Sequence, residues 1–173
     1  MEVNEVKIWC MNLKDNRDTP KQNQDKELKF RLCRERSMIA IGWAVEGDVN
    51  SWEDYERKAN ALYRDNSAYT SAHNCLQSMS AGDLVWTRNP VTHECYLVDI
   101  TDETPRIYDS LKEFDICGYR SGTYYLVPEA KLIGDLSPRN LSAEHTIEQI
   151  RSDGNRKAVI EATKQLFADL KHG

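Results

Sequence analysis

Short apolar runs separated by polar segments mark the first part of the chain, and these runs are strand-sized. Val6–Leu13 predicts a strand. The β-rich run Met38–Val45 predicts a buried strand in which Gly42 indicates a bulge or a close backbone approach. The polar segment Asp15–Lys26 predicts a mobile loop. Leu28–Cys33 is amphipathic, and its pattern fits either a helical turn or a strand.

Two helices are predicted next. Ser51–Asp54 has the spacing of a capping box, in which a hydroxyl and a carboxylate each satisfy a backbone N–H at the start of a helix. A second helix is predicted over Ala68–Met79, ending at Ala81–Asp83. The first helix has apolar positions recurring on one face, at Trp52, Tyr55, Ala59 and Leu62.

Two hairpins are predicted after these helices. Leu84–Arg88 and Glu94–Ile100 flank a turn at Asn89-Pro90. Ile116–Val127 predicts a second hairpin that turns at Ser121-Gly122, where glycine accommodates a positive φ. Alternation along the first of these strands places Leu84, Trp86 and Arg88 on one face and Val85 and Thr87 on the other.

The last part of the chain is predicted to be helical after an irregular stretch over Pro128–Asn140. Ser142 is expected to cap a helix that contains Ile147 and Ile150, and a final helix is expected over Arg156–Leu170. The order of elements predicts an α+β fold with a mainly antiparallel sheet or small barrel that carries helices. We expect one domain over 1–173, with the barrel and inserted helices over about 6–140 and C-terminal helices over about 142–170.

The chain has 173 residues, of which 40 % are hydrophobic and 29 % are charged. No run approaches the roughly 20 apolar residues that span a bilayer. The first residues lack the basic start and apolar core of a signal peptide, so we expect a cytoplasmic protein without a membrane partner. The net charge of −5 does not by itself indicate nucleic-acid binding, but charge is uneven, because residues 46–56 carry five acidic and no basic groups.

Candidate catalytic groups are sparse. The five cysteines are scattered without a Cys-x-x-Cys pair, which is typical of small buried hydrophobic residues rather than a disulfide framework. A His-x-Cys pattern occurs at His73–Cys75 and again at His93–Cys95, but zinc requires four ligands, or three and a water. No phosphate-binding loop, nucleophile elbow or dinucleotide fingerprint occurs. The sequence therefore predicts no metal, no cofactor and no enzymatic activity.

Tryptophans occupy unusual places. Trp9, Trp43 and Trp86 each lie in a predicted strand, and Tyr96 lies in another. Aromatic residues in strands are usually core residues. Several of them on a small sheet would also suit a flat-walled pocket for a planar heterocycle, because every nucleobase offers a π face.

Several short strings carry a family resemblance. They are Ile39-Ala-Ile-Gly-Trp43, then Trp52 to Tyr63, then Met79-Ser-Ala-Gly-Asp-Leu-Val-Trp86, then Tyr96-Leu-Val-Asp-Ile100. Together with Tyr119 to Pro128 and the segment from Ser142 to Ile147, they resemble the PUA-like superfamily. The similarity covers about residues 6–150 and is closest to EVE-type domains and to the N-terminal domains of Mrr-type restriction proteins.

The resemblance implies a small β-barrel with peripheral helices that grips a flipped or single-stranded modified base in an aromatic cage. By position, Trp43 is the first wall of the cage, Trp86 is the second, and Asn12 is the polar contact to the base edge. The chain ends where the restriction proteins continue into a nuclease, so a protein partner would supply any effector activity. The further candidates for the pocket are Trp9, Tyr96 and Asp99, and the candidates for phosphate contacts are Arg88, Arg120 and Lys7.

Two other functions stay open. A protein-interaction or regulatory module on the same fold would use a helix face such as Val159–Phe167. An enzyme with an unfamiliar site would depend on His93 or Cys95. The hypothesis that the protein binds a modified base requires Trp43 and Trp86 to face one shared, solvent-open cavity. Stacking of a base on one aromatic ring barely balances the free-energy cost of extruding that base from a duplex.

Overall fold

The computed structural model describes residues 5–14, 25–143, 146–154 and 156–173 of the chain. The strands are β1 (Ile8–Met11), β2 (Met38–Ile41), β3 (Leu84–Arg88), β4 (Cys95–Ile100), β5 (Arg106–Ile107), β6 (Gly118–Leu126) and β7 (Ile147–Ile150). The α-helices are α1 (Leu28–Glu35), α2 (Trp52–Tyr63), α3 (Ser67–Ser78) and α4 (Arg156–His172). Most of the loop predicted over Asp15–Lys26 lies outside the described residues.

The strands form one mixed sheet in the order β2–β6–β4–β3–β1–β7, and β5 pairs with β6 beside that path. β1 and β3 are parallel, and the other pairings among the described strands are antiparallel. The sheet curls into a half-barrel. The α+β class and the mainly antiparallel sheet are thus confirmed, whereas the PUA-like assignment stays a prediction.

Each face of the sheet buries its own core. Side chains alternate along β3, so Val85 packs with the residues of α1, α2 and α3, whereas Leu84 and Trp86 pack under α4. The predicted alternation along this strand is therefore confirmed. The stripe Val159, Thr163 and Leu166 of α4 is buried against that second core.

The helix starts follow local capping chemistry. Ser51 Oγ accepts a hydrogen bond of 3.0 Å from the Asp54 backbone N–H, which confirms the hydroxyl half of the predicted capping box of α2. The Asp54 carboxylate pairs with Arg57 and Lys58. Asn66 Oδ1 caps α3 in the same way, 3.1 Å from the Tyr69 N–H. The predicted apolar face of α2 ends earlier than expected, because Leu62 is 62 % exposed. The ambiguous segment after residue 28 is the helix α1, which buries Phe30 and Cys33.

The predicted hairpin over 116–127 is wrong, because β6 runs straight through Ser121-Gly122 as a nine-residue strand. Its first half pairs with β2 and its second half with β4. Gly122 is required for close approach rather than for a turn. A Cβ atom there would lie 2.6 Å from Val98 Cγ1 and 3.0 Å from the Asp99 carbonyl oxygen.

The helix predicted after Ser142 is also wrong, because Ile147–Ile150 is the strand β7, antiparallel to β1. Ile147 and Ile150 are both buried and lie three positions apart in sequence. Buried residues on one face of a helix have the same spacing, so the pattern also fits a helix. The C-terminal helical part is therefore α4 alone among the described residues.

Two further observations bear on partners. The helix face expected to dock a partner is used inside the molecule, because Val159 and Leu166 are buried and Phe167 packs edge-on against Tyr125 at 5.5 Å. Among the described helices, none is long and apolar enough to cross a membrane.

Candidate functional site

The two tryptophans of the expected cage do not face each other. Trp86 is 1 % exposed and lies under α4, where its Nε1 donates a hydrogen bond of 3.0 Å to Thr163 Oγ1. Trp43 lies beyond the end of β2 and is half-buried against the opposite core. The expectation of a shared cavity between these two indoles is therefore wrong, since alternation along β3 sends Trp86 to the α4 face.

Two other aromatic candidates belong to the core. Trp9 is 3 % exposed, and its Nε1 donates to Asp83 Oδ2 at 3.2 Å. Tyr96 is 5 % exposed, packs on the Phe30 ring at 5.3 Å and accepts a hydrogen bond from Arg34. Neither of them lines a pocket with Trp43. Asp99 is half-buried on β4 outside that pocket, and burial raises the pKa of its carboxyl.

Two of the three candidate phosphate contacts also lie elsewhere. Arg120 is fully buried and pairs with Asp102, with 2.7 Å between Arg120 Nε and Asp102 Oδ1, so a contact with a phosphate backbone is excluded in this fold. Lys7 lies beside Asp83 and lines a different cleft from Trp43. Arg88 is exposed at the end of β3.

Trp43 lines a pocket of about 360 Å³, which we call the Trp43 pocket. Asn12 lies beside it, as the resemblance implied. The backbone N–H of Asn12 donates to the Thr146 carbonyl at 2.8 Å, which holds the two segments together. The pocket is lined by Asn12, Lys14, Lys29, Gly42, Trp43, Ala44, Tyr63, Asp115 and Thr146.

Two residues of this pocket have a backbone conformation that L-amino acids rarely adopt. Trp43 has a φ of 62°, and Asp115 has the same value. A bulky side chain in the left-handed region costs on the order of 1–2 kcal/mol. Such strain persists where surrounding contacts fix the backbone, and it is concentrated at functional sites.

Two tyrosines of α2 hold the strained segment in place. The Tyr55 hydroxyl lies 3.1 Å from the carbonyl oxygens of both Gly42 and Trp43. The Tyr63 hydroxyl donates to the Ala44 carbonyl at 2.6 Å. The Trp43 indole also meets the Tyr69 ring nearly edge-on, with ring centroids 5.9 Å apart. The indole is thus fixed in position while remaining partly exposed.

A buried ion pair completes the pocket. Lys29 Nζ lies 3.1 Å from Asp115 Oδ2, and the two side chains are 3 % and 16 % exposed. The carboxylate lies against the backbone of Gly42, because a Cβ atom there would be 1.7 Å from Asp115 Oδ1. The close approach predicted at Gly42 is therefore confirmed. The site combines an aromatic plane with an ammonium donor and a carboxylate acceptor.

A second cleft, of about 380 Å³, adjoins the first, and we call it the basic cleft. Asn12 and Lys14 line both. The basic cleft is lined by Met11, Asn12, Lys14, Lys26, Trp86, Thr87, Arg88, Pro90, Cys95, Pro138, Leu141, Ser142 and Ala143.

Sequence reasoning missed Lys14, Lys29, Tyr63 and Asp115 as site residues. The sequence indicates Lys29 only weakly, because this cationic residue lies next to the buried positions of the amphipathic segment that begins at Leu28. It gives no indication of Asp115, because Asp115 reaches Lys29 only through the packing of the 3₁₀ turn 109–114 against α1 and β2.

The two His-x-Cys patterns do not build a metal site among the described residues, which contain no group of three or more metal-ligating side chains. His73 stacks on Trp52 at 5.0 Å between ring centroids, with its Nε2 3.0 Å from Glu56 Oε2. Cys95 is buried behind the turn that contains His93.

Comparison of the chain with protein-family models, curated proteins and solved structures finds no match. The functional interpretation therefore depends on the geometry of the two clefts and on the resemblance given above.

Proposed function

We propose that this protein binds a modified nucleobase in the Trp43 pocket and does not transform it. The observation that carries the proposal is the partly exposed indole of Trp43, which is held in a strained left-handed conformation beside a buried ammonium–carboxylate pair. A volume of about 360 Å³ is at the lower end of the range for small-ligand sites, which suits one flat ring system.

Stacking on Trp43 supplies affinity without selectivity. Base–aromatic stacking contributes about 1–3 kcal/mol, and every base offers a π face. The cost of extruding a base from a duplex is a few kcal/mol, so one indole favours a single strand or an already unpaired base. With Trp86 inside the core, a second wall is missing, and single-stranded or mismatched substrates are the better fit.

Selectivity comes from the ion pair rather than from the methyl group of the base. Burying one methyl group contributes about 0.8 kcal/mol. A donor or acceptor left unpaired in a buried site costs about 1–3 kcal/mol. Lys29 can donate a hydrogen bond to an acceptor on the edge of a base, and Asp115 can accept one from a donor on the same edge. A modification that removes this acceptor or this donor changes the affinity.

The experiment is a titration of short single-stranded oligonucleotides, each carrying one central test base, followed by fluorescence anisotropy at fixed low salt. The test bases are cytosine, methylated and hydroxymethylated cytosine, adenine and methylated adenine. We expect one modified base to bind more tightly than its unmodified parent. Trp43→Ala should weaken that binding by about 5- to 150-fold, which corresponds to the loss of one stacking contact.

Two variants serve as controls. Trp43→Phe keeps an aromatic face and should retain most of the affinity. Tyr108→Ala removes another half-buried ring, which packs on Tyr119 at 5.9 Å outside the pocket, and should leave binding unchanged. Absence of binding for every strand, or an unchanged affinity of a folded Trp43→Ala protein, would contradict the proposal.

A further inference from the structure

We propose that the basic cleft binds the phosphodiester backbone next to the base held in the Trp43 pocket, so that the ligand is a nucleic acid strand and not a free base or nucleoside. This inference rests on the proposed function and names the class of its substrate. Two observations carry it: where the cleft opens and which charges line it.

The cleft opens where two parallel strands stop pairing. The pairing of β1 with β3 ends at Cys10 and Trp86, although both strands continue. Beyond that point β1 pairs with β7 through Met11, and β3 pairs with β4 through Thr87. The basic cleft lies at the end of this parallel pair, and its lining includes the residues that follow the last pairing.

The charged residues that line the basic cleft are all cationic, although the whole chain has a net charge of −5. Lys14, Lys26 and Arg88 line the cleft, and all three are exposed. No carboxylate is among the lining residues of the described chain. Three cations around one opening attract a polyanion, because each phosphate neutralised releases condensed counterions.

The two acidic residues that flank Lys26 in sequence are engaged elsewhere. Asp25 pairs with Arg31 at 2.8 Å, which holds the pKa of the Asp25 carboxyl below its usual value. Glu27 accepts a hydrogen bond of 2.9 Å from Asn89 Nδ2. Neither carboxylate is among the residues that line the cleft together with Lys26.

The two openings are continuous through Asn12 and Lys14, which line both. A base in the Trp43 pocket therefore leaves its sugar and phosphate near Lys14, at the mouth of the basic cleft. A polyanion without bases would use the cleft alone, and a nucleoside would use the pocket alone. These differences allow the two proposals to be tested separately.

The test compares three probes: a short oligothymidine strand carrying the preferred modified base, the same strand with an abasic central position, and the free nucleoside. The variant is Lys26→Ala with Arg88→Ala. Its matched control is Arg64→Ala with Lys131→Ala, which removes the same charge from exposed positions outside both openings. Affinity is measured at several salt concentrations between about 50 and 200 mM.

We expect the slope of log affinity against log salt to fall in magnitude by about 1.4 in the cleft variant, or about 0.7 for each lost phosphate contact. The control variant should keep the wild-type slope, and nucleoside affinity should be the same in all three proteins. Trp43→Ala should weaken strand binding without changing the slope.

The outcomes separate the two proposals. If the salt slope is unchanged in the cleft variant, or changes equally in the control variant, the proposal for the basic cleft is wrong. A loss of strand affinity in Trp43→Ala would then still support the proposal for the Trp43 pocket. If salt-dependent binding persists in Trp43→Ala, and if the abasic strand binds as tightly as the strand with the modified base, the basic cleft is supported and the proposal for the Trp43 pocket is wrong. If no strand binds, both proposals are wrong.

Discussion

Arg120 is an ionised side chain inside the molecule, and its guanidinium is hydrogen-bonded at three nitrogens. Nε donates to Asp102 Oδ1 at 2.7 Å, and Nη2 donates to the Asp102 carbonyl at 2.9 Å. Nη1 donates to the carbonyls of Leu76 and Met79, both at 2.7 Å, where α3 ends. The planar group thereby ties the end of a helix to the loop after β4, a task that a single ammonium does not perform.

Replacement of Arg120 should be severe. We expect Arg120→Ala to lower the free energy of unfolding by about 3–5 kcal/mol, because it leaves the buried carboxylate of Asp102 without its cation. Arg120→Lys should rescue only part of this loss. Urea unfolding followed by tryptophan fluorescence measures both, and wild-type stability in the lysine variant would show that the forked geometry is unnecessary.

Single residues also show the limit of prediction from sequence. Aromatic content suggested a pocket, but the sequence did not reveal which indole is exposed. Trp86 is buried because Thr163, distant in the chain, accepts its N–H, whereas Trp43 stays partly open because the chain turns into a left-handed conformation just after β2. Alternation predicted the face of β3 on which Trp86 lies, but no local pattern encodes that α4 covers this face or that Tyr55 and Tyr63 hold the segment of Trp43.

At the scale of elements, β6 connects the two halves of the sheet. Nine residues without a turn allow it to pair with β2 and β5 at one end and with β4 at the other. A glycine inside an alternating run resembles a hairpin turn in sequence, and only the neighbouring strand distinguishes the two. Here Val98 Cγ1 and the Asp99 carbonyl oxygen of the paired strand β4 leave no room for a side chain at Gly122.

Gly122→Ala should therefore destabilise the fold by about 1–3 kcal/mol, the usual cost of overpacking. Gly122→Asn, which a hairpin turn would tolerate, should cost at least as much. Thermal unfolding monitored by circular dichroism makes the comparison, with Thr123→Ala at the next, exposed position as the control. A stable asparagine variant would favour the hairpin after all.

Other elements followed their sequence signals closely. The hydroxyl cap of α2, the alternation along β3 and the start of α4 at Arg156 were all local features, and they appear where predicted. β7 was misassigned because its two buried isoleucines have helical spacing, and a strand at the edge of a sheet is identified by its partner β1 rather than by its own pattern.

At the scale of the whole molecule, the α+β class was predictable and the site was not. The Trp43 pocket gathers Asn12, Lys29, Trp43, Tyr63 and Asp115 from well-separated segments. Asn12 and Trp43 were found through the resemblance. The other three become neighbours only when α1, α2 and the turn before β6 pack on one face of the sheet.

The burial of the five cysteines reflects the packing of the two cores on either side of the sheet. Four of them are buried, and only Cys75 is partly exposed. Burial raises the pKa of both Cys10 and Cys33 to about 12, because the charged thiolate is disfavoured away from water. At about pH 8, roughly one in ten thousand of such thiols is ionised, and the thiolate is the reactive form.

In the native protein we therefore expect a single fast-reacting thiol with Ellman's reagent at about pH 8, and Cys75→Ser should abolish that phase. Cys95→Ser should leave it intact, since Cys95 is buried. Full reactivity should appear only in denaturant. Several fast thiols in the folded state would show that the two cores open more readily than their burial implies.

The placement of β1 constrains how the chain acquires its structure. Ile8 pairs with Leu84 on one side and with Ile150 on the other, so a fully apolar strand emerges from the ribosome long before either neighbour exists. Contacts between such distant positions slow folding, and an unpaired apolar strand is prone to aggregation in the interval. We therefore expect residues 8–11 of a newly made chain to be prone to aggregation until β3 and β7 have been synthesised.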